Sequence, residues 1–206
     1  MILLTGFEPF GGDPLNPSGD ASRRAAELLS ESGHPATAVE LPCVFSEAAG
    51  VLRRALQDHR PELVVCTGLN AAAGAVMLER VALNVIDARI PANAGEQTVD
   101  VPVVPGAPAA YFTTLPLKRA LAALQREGIP AQVSQSAGTF VCNQIFYTLM
   151  HELAASGQAR RGGFVHVPFP AVARVDPESL ATALVLVVRE ALEGSADISL
   201  GAGTIA

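Results

Sequence analysis

Three side chains of this 206-residue sequence have the types and settings that nucleophilic catalysis needs. The first is Cys142, near the end of the run Ser134-Gln135-Ser136-Ala137-Gly138-Thr139-Phe140-Val141-Cys142-Asn143. That run reads as a strand, a tight turn of small residues and the mouth of a helix. Beyond it, Ile145, Phe146, Leu149, Met150 and Leu153 make one apolar stripe at helical spacing, and Gly157 supplies a stop. A helix N-terminus carries unpaired N–H groups and partial positive charge, so a cysteine there is expected to favour its thiolate, the nucleophilic form. Read from this segment alone, Cys142 is equally well a small apolar residue packed under the helix start.

The second is His166, near the end of Gly162-Gly163-Phe164-Val165-His166-Val167-Pro168-Phe169. Glycines before it and proline after it mark a buried strand. The carboxyl edge of an open α/β sheet is where ligand-binding groups gather. A lone strand histidine is more often a core residue bonded to a backbone carbonyl. His34, His59 and His151 fall in loop or helix-surface contexts and are given no functional role. A cysteine–histidine pair needs a third group to orient the imidazole. Glu79, an acid inside Leu78-Glu79-Arg80-Val81-Ala82-Leu83-Asn84, is the first candidate; Asp87 is its rival. Most glutamates are solvated, and an ordinary surface Glu79 would pair with Arg80, Arg89 or water.

Taken together the pattern resembles the pyroglutamyl peptidase type I family, also called pyrrolidone-carboxylate peptidases, which are cysteine peptidases. Four blocks in the family's order carry the likeness across most of the chain. They are Leu4-Thr5-Gly6-Phe7-Glu8-Pro9-Phe10-Gly11-Gly12 with Asn16-Pro17-Ser18; Glu79-Arg80-Val81-Ala82 through Arg89-Ile90-Pro91; Ser134 through Asn143; and His166-Val167-Pro168-Phe169. The resemblance implies a triad of Cys142, His166 and Glu79. It implies removal of an N-terminal pyroglutamyl residue through a thioester, with peptides as partners and no cofactor or metal. It also suggests a homo-oligomer, with a tetramer as the first expectation.

Pyroglutamate is an uncharged five-membered lactam with an apolar body, one N–H donor and one C=O acceptor. Its pocket needs apolar walls and a few fixed polar groups. In the family, phenylalanines of these blocks wall the ring, which points to Phe10 and Phe140 first and Phe7 second. Backbone groups near Leu69 would bond the lactam, and Asn16 would orient it. Backbone N–H groups at the helix start, that of Cys142 included, suit an oxyanion hole. Arg89 matches a family arginine near the site, and its ordinary role would be an ion pair with Glu79 or Asp87.

The chain departs from the family pattern in two places. Gly68-Leu69-Asn70 stands where Gly-Gly-Arg is common, and Ala92 stands where aspartate is common. These departures keep open an inactive homologue that binds pyroglutamyl peptides. A nucleoside-phosphorylase-like reading of Gly6–Gly12 is the weaker alternative. The segment fits no phosphate-loop pattern, and Glu8 would repel phosphate.

Positioning these groups calls for strands near 1–5, 36–41, 62–67, 80–87, 132–136 and 163–168. Helices are expected near 19–32, 46–59, 109–127, 142–156 and 177–192. The last begins with Asp176 as cap and Pro177 at its first position. Such alternation predicts a single α/β domain over 1–206, an open, mostly parallel sheet with helices on both faces. Segment 91–108 reads as a hairpin, a mobile loop or a subunit contact, and 194–206 as a poorly ordered tail.

Hydrophobic residues are 50% and charged residues 17%, enough apolar content for a sizeable core. The net charge of −6, with basic pairs scattered, argues against nucleic acid and anionic membranes as partners. The start Met1-Ile2-Leu3-Leu4 ends too soon at Gly6 to be a secretory signal. Three cysteines without metal-like spacing make Cys43 and Cys66 reduced structural thiols. A reducing cytosol is the expected compartment.

Overall fold

The computed structural model describes residues 1–203. Along the chain these form β1 (Ile2–Phe7), α1 (Pro17–Glu31), β2 (Ala36–Leu41), α2 (Phe45–His59), β3 (Leu63–Leu69) and β4 (Val76–Leu83). Then come β5 (Ala110–Phe112), α3 (Leu117–Arg126), β6 (Ala131–Ser136), α4 (Val141–Ser156), β7 (Arg161–Val167), α5 (Pro170–Ala173) and α6 (Pro177–Leu192). The strands make one sheet with the order β2-β1-β3-β7-β4, and both β6 and the short β5 pair with β4. The pairs β1–β2, β1–β3, β3–β7 and β4–β6 are parallel. Strand β4 runs antiparallel to β7 and to β5. The sheet is thus mostly parallel with a reversal at β4, and that reversal decides the geometry of the site.

Side chains alternate across the strands, so each strand supplies two cores. One face buries Ile2, Leu4, Val65, Leu78, Val133 and Val165 against α1, α3 and α6. The other buries Leu3, Val64, Cys66 and Phe164 against α2 and α4. The apolar faces of α4 and α6 are wide because both helices sit deep. In α4, Ile145, Phe146, Tyr147 and Leu149 are all fully buried. Asp176 caps α6 by accepting the N–H of Glu178, with Pro177 at the first helical position. No helix among the described residues is long and apolar enough to cross a membrane.

Two sequence expectations need correction. The stretch 109–127 is not one helix. Tyr111 and Phe112 pair with Ala82 and Val81 as β5, and the helix begins only after Pro116. Aromatic and β-branched residues (Tyr111, Phe112, Thr113, Thr114) suit a pleated edge, and a proline can open a helix but not sit inside one. The strand expected at 80–87 lies at Val76–Leu83. Its apolar start, Val76-Met77-Leu78, follows the turn through Ala71–Gly74, and Glu79 lies mid-strand rather than before it. The segment 91–108 folds back as an irregular hairpin. Ile86 and Val101 exchange backbone bonds of 2.7 and 3.1 Å, and Ala88 N–H donates to Thr98 O. Within the tail, Asp197 accepts the N–H groups of Lys118 and Arg119 at the start of α3. Residues 204–206 of the tail expected to be poorly ordered lie outside the described residues.

Gly6 in β1 shows how closely α1 is laid on the sheet. A Cβ there would collide with Ser18 O and come within 2.6 Å of Gly19 Cα, both backbone. Gly6→Ala is therefore expected to destabilise the protein by about 1–3 kcal/mol through forced backbone movement. A urea-melt midpoint lowered at unchanged slope would show it.

Candidate active site

The reversal of β4 sets Met77 opposite His166 on β7, and Leu78 opposite Val165. Glu79 is two residues along from Met77, so it shares the face of His166 on the diagonal, within reach of a long side chain. The two side chains meet there. Glu79 Oε1 and His166 Nδ1 are 2.7 Å apart. Glu79 is 1% exposed and His166 6%. A carboxylate oxygen accepts, so Nδ1 donates, and in the neutral ring the lone pair is on Nε2. The imidazole is further held by the Phe164 ring, whose centroid lies 4.9 Å away in an edge-on contact. Asp87, the rival acid, is exposed and lies outside this pair.

Cys142 occupies the first turn of α4, and Phe140 precedes the helix without a capping side chain. Asn143 joins this turn to the strand that carries Glu79. Its fully buried amide accepts the Leu83 N–H at 2.9 Å and donates to Leu83 O and Val85 O, each at 2.9 Å. Gln144 donates to Phe45 O at 2.9 Å and ties the same turn to α2. Sequence reasoning gave Asn143 and Gln144 no role. The available signal was two adjacent amides at the head of an otherwise apolar helix. A further residue that it missed is Gly68, which sits beside His166 in the β3–β7 register. A Cβ on Gly68 would lie 2.7 Å from Cys142 Sγ and 3.0 Å from the Phe164 ring, so only glycine leaves room for the thiol.

One cavity of about 850 Å³ joins the acid, the imidazole and the thiol. Cys142, His166 and Glu79 line it, as do Phe7, Phe10, Phe140, Asn16, Leu69 and Arg89. The walls are aromatic: Phe140 packs on Phe10 at 5.4 Å and edge-on against Phe45 at 5.1 Å between ring centroids. Phe7 is mostly core, buried at the end of β1. Asn16 caps α1 by accepting from Ser18, and its amide donates to Glu8 O at 2.9 Å. Its amide is therefore committed to shaping the loop that carries Phe10. Arg89 is exposed and makes no ion pair among the described residues, with Glu79, Asp87 or any other acid.

Leu69 lines the cavity, and the strand register sets the edge to which its backbone turns. Asn70 N–H donates to Val167 O on β7. Backbone groups alternate between strand edges, so Gly68 also turns to β7, while the N–H and C=O of Leu69 turn to the opposite edge. Strand β1 no longer pairs there, since its register with β3 ends at Thr5–Cys66.

The rim is held by one carboxylate. Glu8 Oε1 accepts from Cys43 N–H and from Asn93 Nδ2, each at 2.9 Å. Asn93 also donates to Pro9 O and accepts from Gly11 N–H, and its own N–H donates to Cys43 O. These bonds knit residues 8–11, 43 and 93, three distant pieces of chain. No group of three or more His, Cys, Asp or Glu among the described residues is arranged to hold a metal.

The thiol environment differs from the expectation built on the helix mouth alone. Burial of the sulfur pushes the Cys142 thiol well above its ordinary value, and the nearby Cys43 and Glu79 act in the same direction. Desolvation outweighs the partial charge of the helix start, so the balance shifts towards the thiol form. Cys43 and Cys66 are pushed up to about 12, chiefly by burial, as inert packed thiols. The thiolate fraction of Cys142 therefore grows with pH. Its alkylation by iodoacetamide, read by mass spectrometry of the Cys142 peptide, is expected to keep rising above the ordinary thiol value of about 8.5. A plateau below neutral pH would show a thiolate already formed. Gly68→Ala should slow the same alkylation by displacing the sulfur or the Phe164 ring; an unchanged rate would refute that contact.

Relatives of this chain are known. The family profile described as Peptidase_C15, pyroglutamyl peptidase, matches residues 1–195. The chain is 48% identical to a pyrrolidone-carboxylate peptidase of Klebsiella pneumoniae over 97% of its own length and 92% of that protein's. It is 52% identical to one from Gloeobacter violaceus over 82% of this chain and 81% of that one. The crystal structure of Bacillus amyloliquefaciens pyroglutamyl peptidase I superposes with a TM-score of 0.90 at 39% identity, covering 96% of this chain and 98% of that one. Pyrrolidone carboxyl peptidase from Pyrococcus furiosus superposes with a TM-score of 0.86 at 37% identity, covering 94% and 98%. With its cysteine, histidine and glutamate gathered in one cavity of this fold, the chain belongs to the pyroglutamyl peptidase family of cysteine peptidases.

Proposed function

We propose that this protein hydrolyses the amide bond that follows an N-terminal pyroglutamyl residue. The observation that carries the reading is the buried 2.7 Å Glu79–His166 contact in the cavity that also holds Cys142. With Nδ1 fixed on Glu79, His166 presents Nε2 as the base. It takes the thiol proton as Sγ attacks the amide carbonyl carbon, so that a C–S bond forms. The carbonyl oxygen gains charge and is met by free N–H groups at the start of α4. The C–N bond breaks as His166 returns its proton to the leaving amine, which leaves a thioester on Cys142. Water then adds with His166 again as base, and the acid and the free thiol are released. Burial favours the thiol form, which gives this base its task, and a thiol works in a reducing compartment such as the cytosol.

In this reading the lactam lies between Phe10 and Phe140, which both line the cavity, and bonds through its carbonyl and its N–H to the N–H and C=O of Leu69. Asn16 serves by holding the loop of Phe10. A prolyl ring lacks the lactam carbonyl and would leave the Leu69 donor unpaired, a form of rejection worth on the order of 10⁴ in kcat/KM.

Release of a fluorescent amine from a pyroglutamyl amide tests the proposal, with the prolyl amide as control. The pyroglutamyl compound alone should be cleaved. Cys142→Ala and His166→Ala should each lose about three orders of magnitude or more, because triad members act as a unit. Glu79→Gln should lose about 10²–10⁴ in kcat by misorienting the imidazole. Binding of the pyroglutamyl compound without turnover by the folded, reduced protein would instead make it a binding homologue.

A further inference from the structure

Glu79 uses one of its two carboxylate oxygens. Oε1 meets His166, whereas Oε2 is buried and has no hydrogen-bond partner among the described residues. A buried carboxylate oxygen left bare costs more than most single contacts contribute, so a donor is expected to reach it. The surroundings narrow the choice. Met77 on the same strand face offers a thioether and no donor. Asn70 Nδ2 donates one of its two N–H groups to Met77 Sδ at 3.2 Å, and Asn70 lies past the end of β3, which does not pair with β4. Arg80, next in sequence, points to the other face of the sheet. Ser134 remains. It is the register partner of Glu79 across the parallel β4–β6 pair, on the same face, with the strands about 4.8 Å apart. It lines the same cavity. Its hydroxyl makes a local bond, to Ser136 O two residues on, at 3.1 Å. A hydroxyl rotates at little cost, and Ser136 O is a neutral acceptor, weaker than a carboxylate.

We propose that Ser134 is a positioning residue for Glu79: its hydroxyl turns from Ser136 O to donate to Glu79 Oε2, fixing the carboxylate plane that holds the His166 tautomer. The charge of Glu79 is then met on both oxygens, and the imidazole is locked by a chain running from β6 through β4 to β7. This deepens the peptidase reading and rests on it for its kinetic consequence.

The test is steady-state hydrolysis of a pyroglutamyl amide by the wild type, Ser134→Ala and Ser134→Thr, paired with far-downfield proton NMR of the His166 Nδ1 proton in a Cys142→Ala background. Ser134→Ala should lower kcat by about ten- to hundredfold. KM should stay within about twofold, and Ser134→Thr, which keeps the hydroxyl, should restore most of kcat. In the NMR arm, Ser134→Ala should shift or broaden the Nδ1 resonance, and Ser134→Thr should preserve it. A raised KM with intact kcat would place Ser134 on the substrate and overturn the proposal. Equal damage by both variants would reduce Ser134 to packing and overturn it too. Should the wild type hydrolyse nothing, the peptidase reading fails by itself. The NMR arm still decides the Ser134–Glu79 bond, and an unchanged resonance would refute it.

Discussion

A carboxylate and an imidazole, both almost without solvent, meet at 2.7 Å on adjacent strands, and the rest of the site follows from that meeting. Removing a carboxylate from water is expensive unless it is paired and hydrogen-bonded. Glu79 reaches its partner because β4 runs against its neighbour β7. Had β4 continued the parallel series, a different register would face His166 and the acid would have no fixed partner. The same strand end is gripped by Asn143, the residue after the thiol. Acid, base and sulfur are therefore held by two strands and one helix joined through buried bonds, and none of the three depends on a loop for its position.

The sulfur shows which of two competing effects prevails. A helix start favours an anion by a fraction of a charge, an effect worth about 0.3–1 kcal/mol at an exposed terminus. Burial among Gly68, Phe164 and the cavity wall acts the other way and is stronger. The consequence is a quiet thiol. In that setting the thiol form is favoured over the thiolate, the reverse of what a helix mouth alone would give.

Much of this was legible in residue order. The apolar stripe after Cys142, the glycines before His166 and the proline after it mark their elements to within a residue or two. The nine residues singled out for the site all line one cavity. What was not legible has physical causes. Strand direction leaves no trace in a short apolar run, so the reversal of β4 could not be read from Val76–Leu83. The break between Phe112 and Leu117 was hidden by its flanks. Leu117, Leu121 and Leu124 set a helical stripe, and Ala109 and Ala110 ahead of it are strong helix formers. The commitment of Asn16 to its own helix, and of Asn143 to a strand 60 residues away, are tertiary facts. So is the need for glycine at 68, which is set by a sulfur that arrives from the far half of the chain.

The knot at Glu8 has a consequence for how the pocket recognises its guest. Residues 8–11, 43 and 93 are joined before any substrate arrives, and Phe10 stands on that joined piece. The ordering entropy of the rim is thus lost during folding and not again at each binding event. Recognition by such a rim is a matter of fit to a standing shape. A small rigid lactam, which itself has almost no conformational freedom to lose, is the kind of ligand that gains most from it.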